Sequence, residues 1–239
     1  MGRKGGAAKR REEDPTATRV RRRALALVAD AERLLDVGDG PLDAQAIHAL
    51  RVLCKRLRAV WQLLTPICGR AVTREPERVL RDAARALAGR LEAHVARRTI
   101  ERLARRHARD DEERAALARL EDLVAERWPA ATAEPALAEP LRVAFAAQRT
   151  ALEDLPPEFT DAELGAGLLR SYARAREQGR RAALLREAAA WHRCRRWAKY
   201  ELYQLELVVG AHPEQRRIEG LGRLGESLGR FNDVCTLRD

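Results

Sequence analysis

Apolar residues recur at helical spacing along most of the chain, and the breaks between these stretches fall at proline, glycine and capping residues. Asp14-Pro15 reads as an N-cap followed by proline at the first helical position. The helix it opens turns Val20, Leu27, Leu34 and Leu35 inward and runs to about Val37, where Gly38-Asp39-Gly40-Pro41 stops it. Asp43 caps a second helix that ends near Pro66. Glu75-Pro76 opens a third, which carries Leu80, Leu87, Leu91, Val95, Ile100 and Leu103 and continues to about Arg109. Residues 110–127 form a fourth, with Leu117, Leu120 and Val124 as its stripe. After an Ala- and Pro-rich link over 128–140, a short helix runs from Leu141 to about Leu152. Asp161 caps the next, which covers Leu164 to about Gln178. A long helix follows from roughly Arg181 to Val209, and a last segment spans Gln215 to Arg238. Residues 1–13 show no apolar periodicity and read as a disordered basic tail. The expected organisation is therefore a first helical half at 14–127 and a second at 141–239, each built of helix pairs with the short joins of a bundle.

Two of these helices have opposed faces. If His48 is set at zero and each residue advances 100°, Arg51, Lys55 and Arg58 fall within about 80° of it. Leu50, Leu53, Leu57, Val60, Trp61 and Leu64 cover the other arc. The spacing His-x-x-Arg-x-x-x-Lys occurs again as His192, Arg195 and Lys199, joined on that face by Arg196, with Trp191, Cys194, Trp197, Ala198 and Leu205 turned away. Glu201 lands in the apolar arc of this second helix, where the first has Leu57, and a buried carboxylate there requires a partner. No acidic residue occurs between Asp43 and Glu75, so nothing local offsets the repulsion among the cations of the first helix.

Composition sharpens this pattern. The chain of 239 residues holds 46 Lys plus Arg, yet only four are lysine: Lys4 and Lys9 in the tail, and Lys55 and Lys199, each seven residues after a histidine. Hydrophobic residues at 46% are enough for a core, and aromatic residues at 4% with abundant Ala, Leu and Arg indicate an all-helical protein. A net charge of +10 calls for an acidic partner: nucleic acid, an anionic membrane or an inorganic polyanion. Cys54, Cys68, Cys194 and Cys235 form no C-x-x-C pair, which predicts a reduced, cytosolic protein without disulfides or a zinc site. No apolar run reaches bilayer-spanning length and no export signal is seen, so a soluble, unexported protein with no membrane partner is expected.

The halves echo each other beyond the two signatures. His48 and His192 are 144 positions apart, and Gly89-Arg90 and Gly229-Arg230 are 140 apart. Similar offsets at two sites indicate a duplication, in which the second half reads as shortened at its C-terminus. With Ile47 to Arg58, Leu80 to Arg85 with Gly89, Trp191 to Tyr203 with Glu206, and Leu224 to Asn232-Asp233 with Leu237, the chain resembles the CHAD domains (conserved histidine α-helical domains) over most of its length. The resemblance implies an all-α fold of two antiparallel helical bundles related by a pseudo-twofold, with a basic central pore or groove. It also implies non-catalytic binding of inorganic polyphosphate, without cofactor or metal. A polyphosphate-processing enzyme or a polyphosphate granule is the implied cellular neighbour. His48, Arg51, Lys55, Arg56 and Arg58 would line one side, and His192, Arg195, Arg196 and Lys199 the other, with Arg81 and Arg85 adding to the surface. The chain departs from the family pattern at Leu91-Glu92, where an Arg-Asp pair is common, and at Tyr200 and Leu202, where many members are basic. The second strip is thinner for it.

Other readings are weaker. A nucleic-acid binder would interleave aromatics or a reading motif with its basic strips, and these strips lack both. A bundle metalloenzyme wants Glu-x-x-His pairs, and neither His48 nor His192 has a carboxylate three residues before it. A phosphatase is no better served, because no Gly-rich phosphate loop or nucleophile elbow occurs. His94, His107 and His212 read as surface or core histidines, and the Arg21–Arg23, Arg97-Arg98 and Arg105-Arg106 clusters as solvated helix faces.

Overall fold

The structure is a computed structural model that describes residues 16–36, 42–127, 137–156, 159–208 and 215–238, the side chains of 89–94, 107 and 238 excepted. The predicted tail, the Asp14-Pro15 cap, the stops at 38–41 and 210–213, His212 and most of the 128–140 link lie outside the described residues. So do the side chains of Gly89-Arg90, Leu91-Glu92, His94 and His107. Among the described residues there are eight helices and no strand: α1 (Thr16–Leu35), α2 (Ala44–Ala86), α3 (Ala88–His107), α4 (Asp111–Arg127), α5 (Ala138–Glu153), α6 (Asp161–Leu185), α7 (Ala188–Val208) and α8 (Gln215–Arg238). The protein is all-helical. No helix of the described residues is long and apolar enough to cross a membrane.

Several boundaries differ from expectation for identifiable reasons. Asp43 caps α2 as expected, its carboxylate accepting from the Ala46 amide at 2.6 Å. Pro66 does not end that helix. The break comes at Gly69, whose φ of 81° and ψ of 160° only glycine adopts without strain, and the chain is helical again before Pro76 is reached. Thr65 and Thr73 face each other across the break with their hydroxyls 3.2 Å apart. The third helix is interrupted as well, at Leu87 between α2 and α3. Asp161 is the first residue of α6 and not its cap. Thr160 caps, in a reciprocal capping box with Glu163. α6 then runs on to Leu185, and Arg186, left-handed at φ 55°, separates it from α7 where one long helix was expected.

The principal core lies between α1, α2 and α5, with Leu164 of α6 and Leu207 of α7, and so draws on both sides of residues 128–140. α1 meets it along Val20, Ala24, Val28, Ala31 and Leu35, spaced so that one face is continuously buried. Small side chains at the centre of that stripe let α1 lie close, while Leu27 and Leu34 pack at its margin. Trp61 is fully buried, and its indole N–H donates to Gln148 Oε1 at 2.7 Å, so the large ring carries no unpaired donor. A smaller cluster of Ala182, Ala190, Cys194 and Leu228 joins α6, α7 and α8. Ala96, Ile100 and Val124 join α3 to α4, with the predicted Leu117 and Leu120 beside them and Leu237 of α8 closing the end.

Arginine here does more than cover solvated faces. Arg21 donates to the carbonyl of Leu155, Arg23 to the carbonyls of Glu206 and Leu207 at the end of α7, and Arg142 to that of Leu35 at the end of α1. Helix C-termini leave carbonyls without intrahelical donors and carry partial negative charge, so a guanidinium satisfies both. The Arg21–Arg23 stretch therefore ties α1 to its neighbours and is not a simply solvated face. The partner that Glu201 requires is Arg217 of α8, whose Nε lies 2.9 Å from Oε1 while the guanidinium stacks 4.7 Å from the Tyr172 ring. Glu201 is buried but Arg217 is 41% exposed, so the pair is half-solvated. Arg217→Ala is expected to cost about 2–3 kcal/mol by stranding the carboxylate, whereas Glu201→Leu, which copies Leu57 of the first half, should be neutral or stabilising in thermal denaturation.

Candidate functional site

α2 and α7 pack together, locked at one point by the Gln204 amide donating to the Ala59 carbonyl at 2.9 Å. The amphipathic pattern determines what this contact brings together. Each helix buries its apolar arc, and the charges of Arg195 and Lys199 on α7 are felt at Lys55 on α2. Lys55 is the clearest case: its pKa is held down at about 8, first by burial and then by the positive charges of Arg51 on its own helix and of Arg195 and Lys199 on α7. Lys199 is also depressed, first by burial and next by Arg195, with Glu206 and Glu226 opposing the shift and Arg56 adding to it. Four expected site residues, Arg51, Lys55, Arg195 and Lys199, thus occupy one electrostatic neighbourhood although the sequence separates them by up to 148 positions.

Both signature arginines are held by backbone. Arg51 Nη1 donates to the Leu87 carbonyl at 3.3 Å, and Arg195 Nε to the Gly225 carbonyl at 3.2 Å. α8 approaches α7 here through glycines. A Cβ on Gly225 would lie 2.6 Å from Lys199 Cε, and one on Gly229 would lie 3.1 Å from Arg195 Nη2. The absence of side chains at these two positions leaves the channel in which the lysine and arginine lie. His192 is exposed, and its Nδ1 is 2.9 Å from Asn232 Oδ1, one helical turn beyond Gly229; that contact fixes the ring's plane and leaves Nε2 for another partner. His48 is likewise exposed on the cationic face of α2.

The remaining expected residues are differently placed. Arg56 stacks on the Tyr203 ring at 5.1 Å and pairs with Glu206 at 3.0 Å, and Lys199 lies 5.7 Å from the same ring. Arg58 stacks on Tyr200 at 5.8 Å and meets Glu77 at 3.6 Å. The carboxylates missing locally from the first helix are therefore supplied from beyond its break and from α7. Tyr200 and Tyr203, which thin the second strip in cationic terms, serve as platforms for the arginines of the first. Arg196 is exposed beside Tyr200. Arg81 and Arg85 are exposed and gather around Asp82, at 3.6 and 3.8 Å. A cleft of about 200 Å³ opens between α1, α2 and α7, with Arg56, Tyr203 and Glu206 on its wall; neither Lys55 nor Lys199 lines it. Cys54, beneath the cationic face, has its pKa pushed up to about 12 by burial, which outweighs Arg58, Arg51 and Lys55 and leaves an unreactive thiol. Among the described residues no group of three or more His, Cys, Asp or Glu side chains is placed to hold a metal ion.

Sequence reasoning missed Glu77, Asn232 and Gly225 as members of the site. Asn232 and Gly225 are revealed only by their position on α8 against α7, and Glu77 only by the change of direction of α2 at Gly69. The structure brings two partly buried lysines and two backbone-anchored arginines into one electrostatic neighbourhood. The CHAD domain model matches residues 19–239, and the chain belongs to the CHAD domain family, which is associated with polyphosphate binding. Comparison with curated proteins and with solved structures returns no match.

Proposed function

We propose that this protein binds inorganic polyphosphate without transforming it, in a basic groove between two helical bundles related by a pseudo-twofold. The observation that carries the reading is the placement of Lys55 and Lys199, the two lysines outside the N-terminal tail: on helices from different halves, both are partly buried, and Lys199 adds to the positive charge felt at Lys55. Assembling like charges there raises the energy of the free protein, and a ligand bearing one negative charge on every repeat relieves it. Arg51 and Arg195 add planar donors to phosphoryl oxygens, and His48 and His192 add imidazole donors at the rim. Arg56, Arg58 and Arg196 extend the surface along the tyrosines, while Arg81 and Arg85 lie farther along α2. The parallel anchoring of Arg51 and Arg195 on facing backbone supports the pseudo-twofold. Nothing in this chemistry requires a nucleophile or a general base. The protein acts in the cytoplasm, at polyphosphate granules or beside a polyphosphate-processing enzyme.

The test is competition. Labelled long-chain polyphosphate bound to the protein is challenged with unlabelled polyphosphate, RNA and duplex DNA at equal charge and graded salt, and the polyphosphate is then recovered and sized. Polyphosphate should displace best and come back at unchanged length, with affinity falling steeply as salt rises. Better displacement by either nucleic acid overturns the reading in favour of a nucleic-acid binder, and shortened chains overturn its non-catalytic part.

A further inference from the structure

Three features of α2 and α6 combine one turn beyond Arg58. Pro66 has no amide hydrogen, so the helical partner of the Gln62 carbonyl is missing. Gly167 of α6 sits so close to α2 that a Cβ there would lie 2.3 Å from the Leu63 carbonyl oxygen. Arg170, one turn after Gly167, reaches the orphaned Gln62 carbonyl with Nη1 at 3.3 Å. A proline and a glycine thus fix a partly buried guanidinium that uses one of its five N–H donors for this bond.

The surroundings of Arg170 are short of negative charge. Glu77 is its nearest carboxylate influence, but the same carboxylate accepts from Gln62 Nε2 at 2.8 Å and faces Arg58 at 3.6 Å. Arg170 is shifted downward first by burial and then by Arg174 and Arg70, both exposed. Arg174 has an exposed helical pair with Glu177 at 3.0 Å, a weak, solvent-screened contact. Tyr200, buried with its hydroxyl unpaired, feels Arg58, Arg196 and the same Glu77 that acts on Arg170. Arg58 Nε is also buried and unpaired. This hydroxyl and this guanidinium N–H are buried polar atoms without partners beside Glu77, the carboxylate that Arg58 and Arg170 both feel.

We propose that a second phosphoryl subsite, formed by Arg170 with Arg70 and Arg174, continues the lysine site past Tyr200 and Arg58, so that a long polyphosphate engages α6 as well as α2 and α7. This inference rests on the reading of the protein as a polyphosphate binder and adds to it a dependence on chain length. A short chain fills the lysine site alone, while a long one reaches the arginines of α6.

Binding of tripolyphosphate and of long-chain polyphosphate is measured at several salt concentrations for the wild type, for the double variant Arg70→Gln/Arg174→Gln and for Arg170→Gln. Both exposed arginines of the double variant can be changed without disturbing the fold, which thermal denaturation checks. Tripolyphosphate affinity should stay within about twofold of wild type, and long-chain affinity should fall about tenfold or more. The slope of log affinity against log salt for the long chain should shrink by about one to two. Equal losses on both ligands, or no loss on the long chain while the lysine variants still lose binding, would overturn the subsite and leave the lysine site standing. A wild type that binds neither ligand ends both proposals.

Discussion

Removing the ammonium groups of Lys55 and Lys199 together, as Lys55→Met/Lys199→Met, should weaken polyphosphate binding by about two to four orders of magnitude. Each lysine offers charge-assisted contacts worth about 1.5–3 kcal/mol, and each 1.4 kcal/mol is tenfold. The same number of charges removed at Arg105 and Arg106, exposed on α3, should cost less than about threefold, because exposed charges act only through a screened field. Equal losses at the two pairs would mean that net charge binds and the site does not. The lysine change should also alter the free protein. Lys55 titrates near 8 when folded against about 10.5 when unfolded, so between those values the unfolded chain holds a proton that the folded chain has released. Stability therefore rises with pH through that window, and below pH 8 the folded protein carries the full penalty of the buried charge. Lys55→Met should raise the melting temperature at pH 7 and flatten its rise toward pH 10 while abolishing tight binding. In the wild type, polyphosphate affinity should fall as pH rises through 8, as Lys55 loses its charge. Arg51, Arg195 and Lys199 face it and also meet the ligand, so the loss is partial. A pH-independent affinity between 7 and 9 would place Lys55 outside the contact.

How much of this was legible beforehand depends on the range of each interaction. The stripes of α1 and α4 and the Asp43 cap are local patterns: the cap and the α4 stripe stand as read, and in α1 Val20 and Leu35 are buried while Leu27 and Leu34 lie at the margin. The convergence of Lys55 with Lys199 was legible only through the repeat and the family resemblance, since no local rule aims two helices at each other. What escaped was of two kinds. Breaks within helices were assigned to prolines, but Pro66 and Pro76 sit inside α2, and the turn was made by Gly69, the one residue that tolerates its dihedrals. Partners remote in sequence escaped as well: Arg217 for Glu201, Glu206 for Arg56 and Glu77 for Arg58. Glu201 shows the limit plainly. Its position in an apolar arc announced that a cation must reach it, and nothing along the chain said that α8 would carry that cation. Gly225, Gly229 and Gly167 are a third case, because a glycine inside a helix looks like a weakness until the neighbour that occupies its missing side chain is known.

Gly167 yields a stability effect as large as that expected at Arg217. An added Cβ would meet the Leu63 carbonyl oxygen at 2.3 Å and Leu63 Cδ1 at 2.9 Å. The side-chain atom can rotate away, but the oxygen belongs to the backbone of α2 and cannot move without the helix. Alanine in place of a helical glycine normally gains about 0.5–1 kcal/mol, and overpacking normally loses about 1–3 kcal/mol or more. With backbone as the obstacle the loss should win, so Gly167→Ala is expected to destabilise by about 2–3 kcal/mol and lower the melting temperature by roughly 5–10 °C. Gly165, two residues earlier on the same helix, is the control, because a Cβ there meets nothing within 4 Å. Gly165→Ala should show only the helical gain and raise the melting temperature by about 2–3 °C. Opposite signs from one substitution at two neighbouring glycines would come from helix contact and not from propensity, and equal shifts would mean that α6 does not rest on Leu63. Because Arg170 reaches Gln62 only while that contact holds, Gly167→Ala should also weaken long-chain polyphosphate binding at temperatures where the protein remains folded, and Gly165→Ala should leave it unchanged.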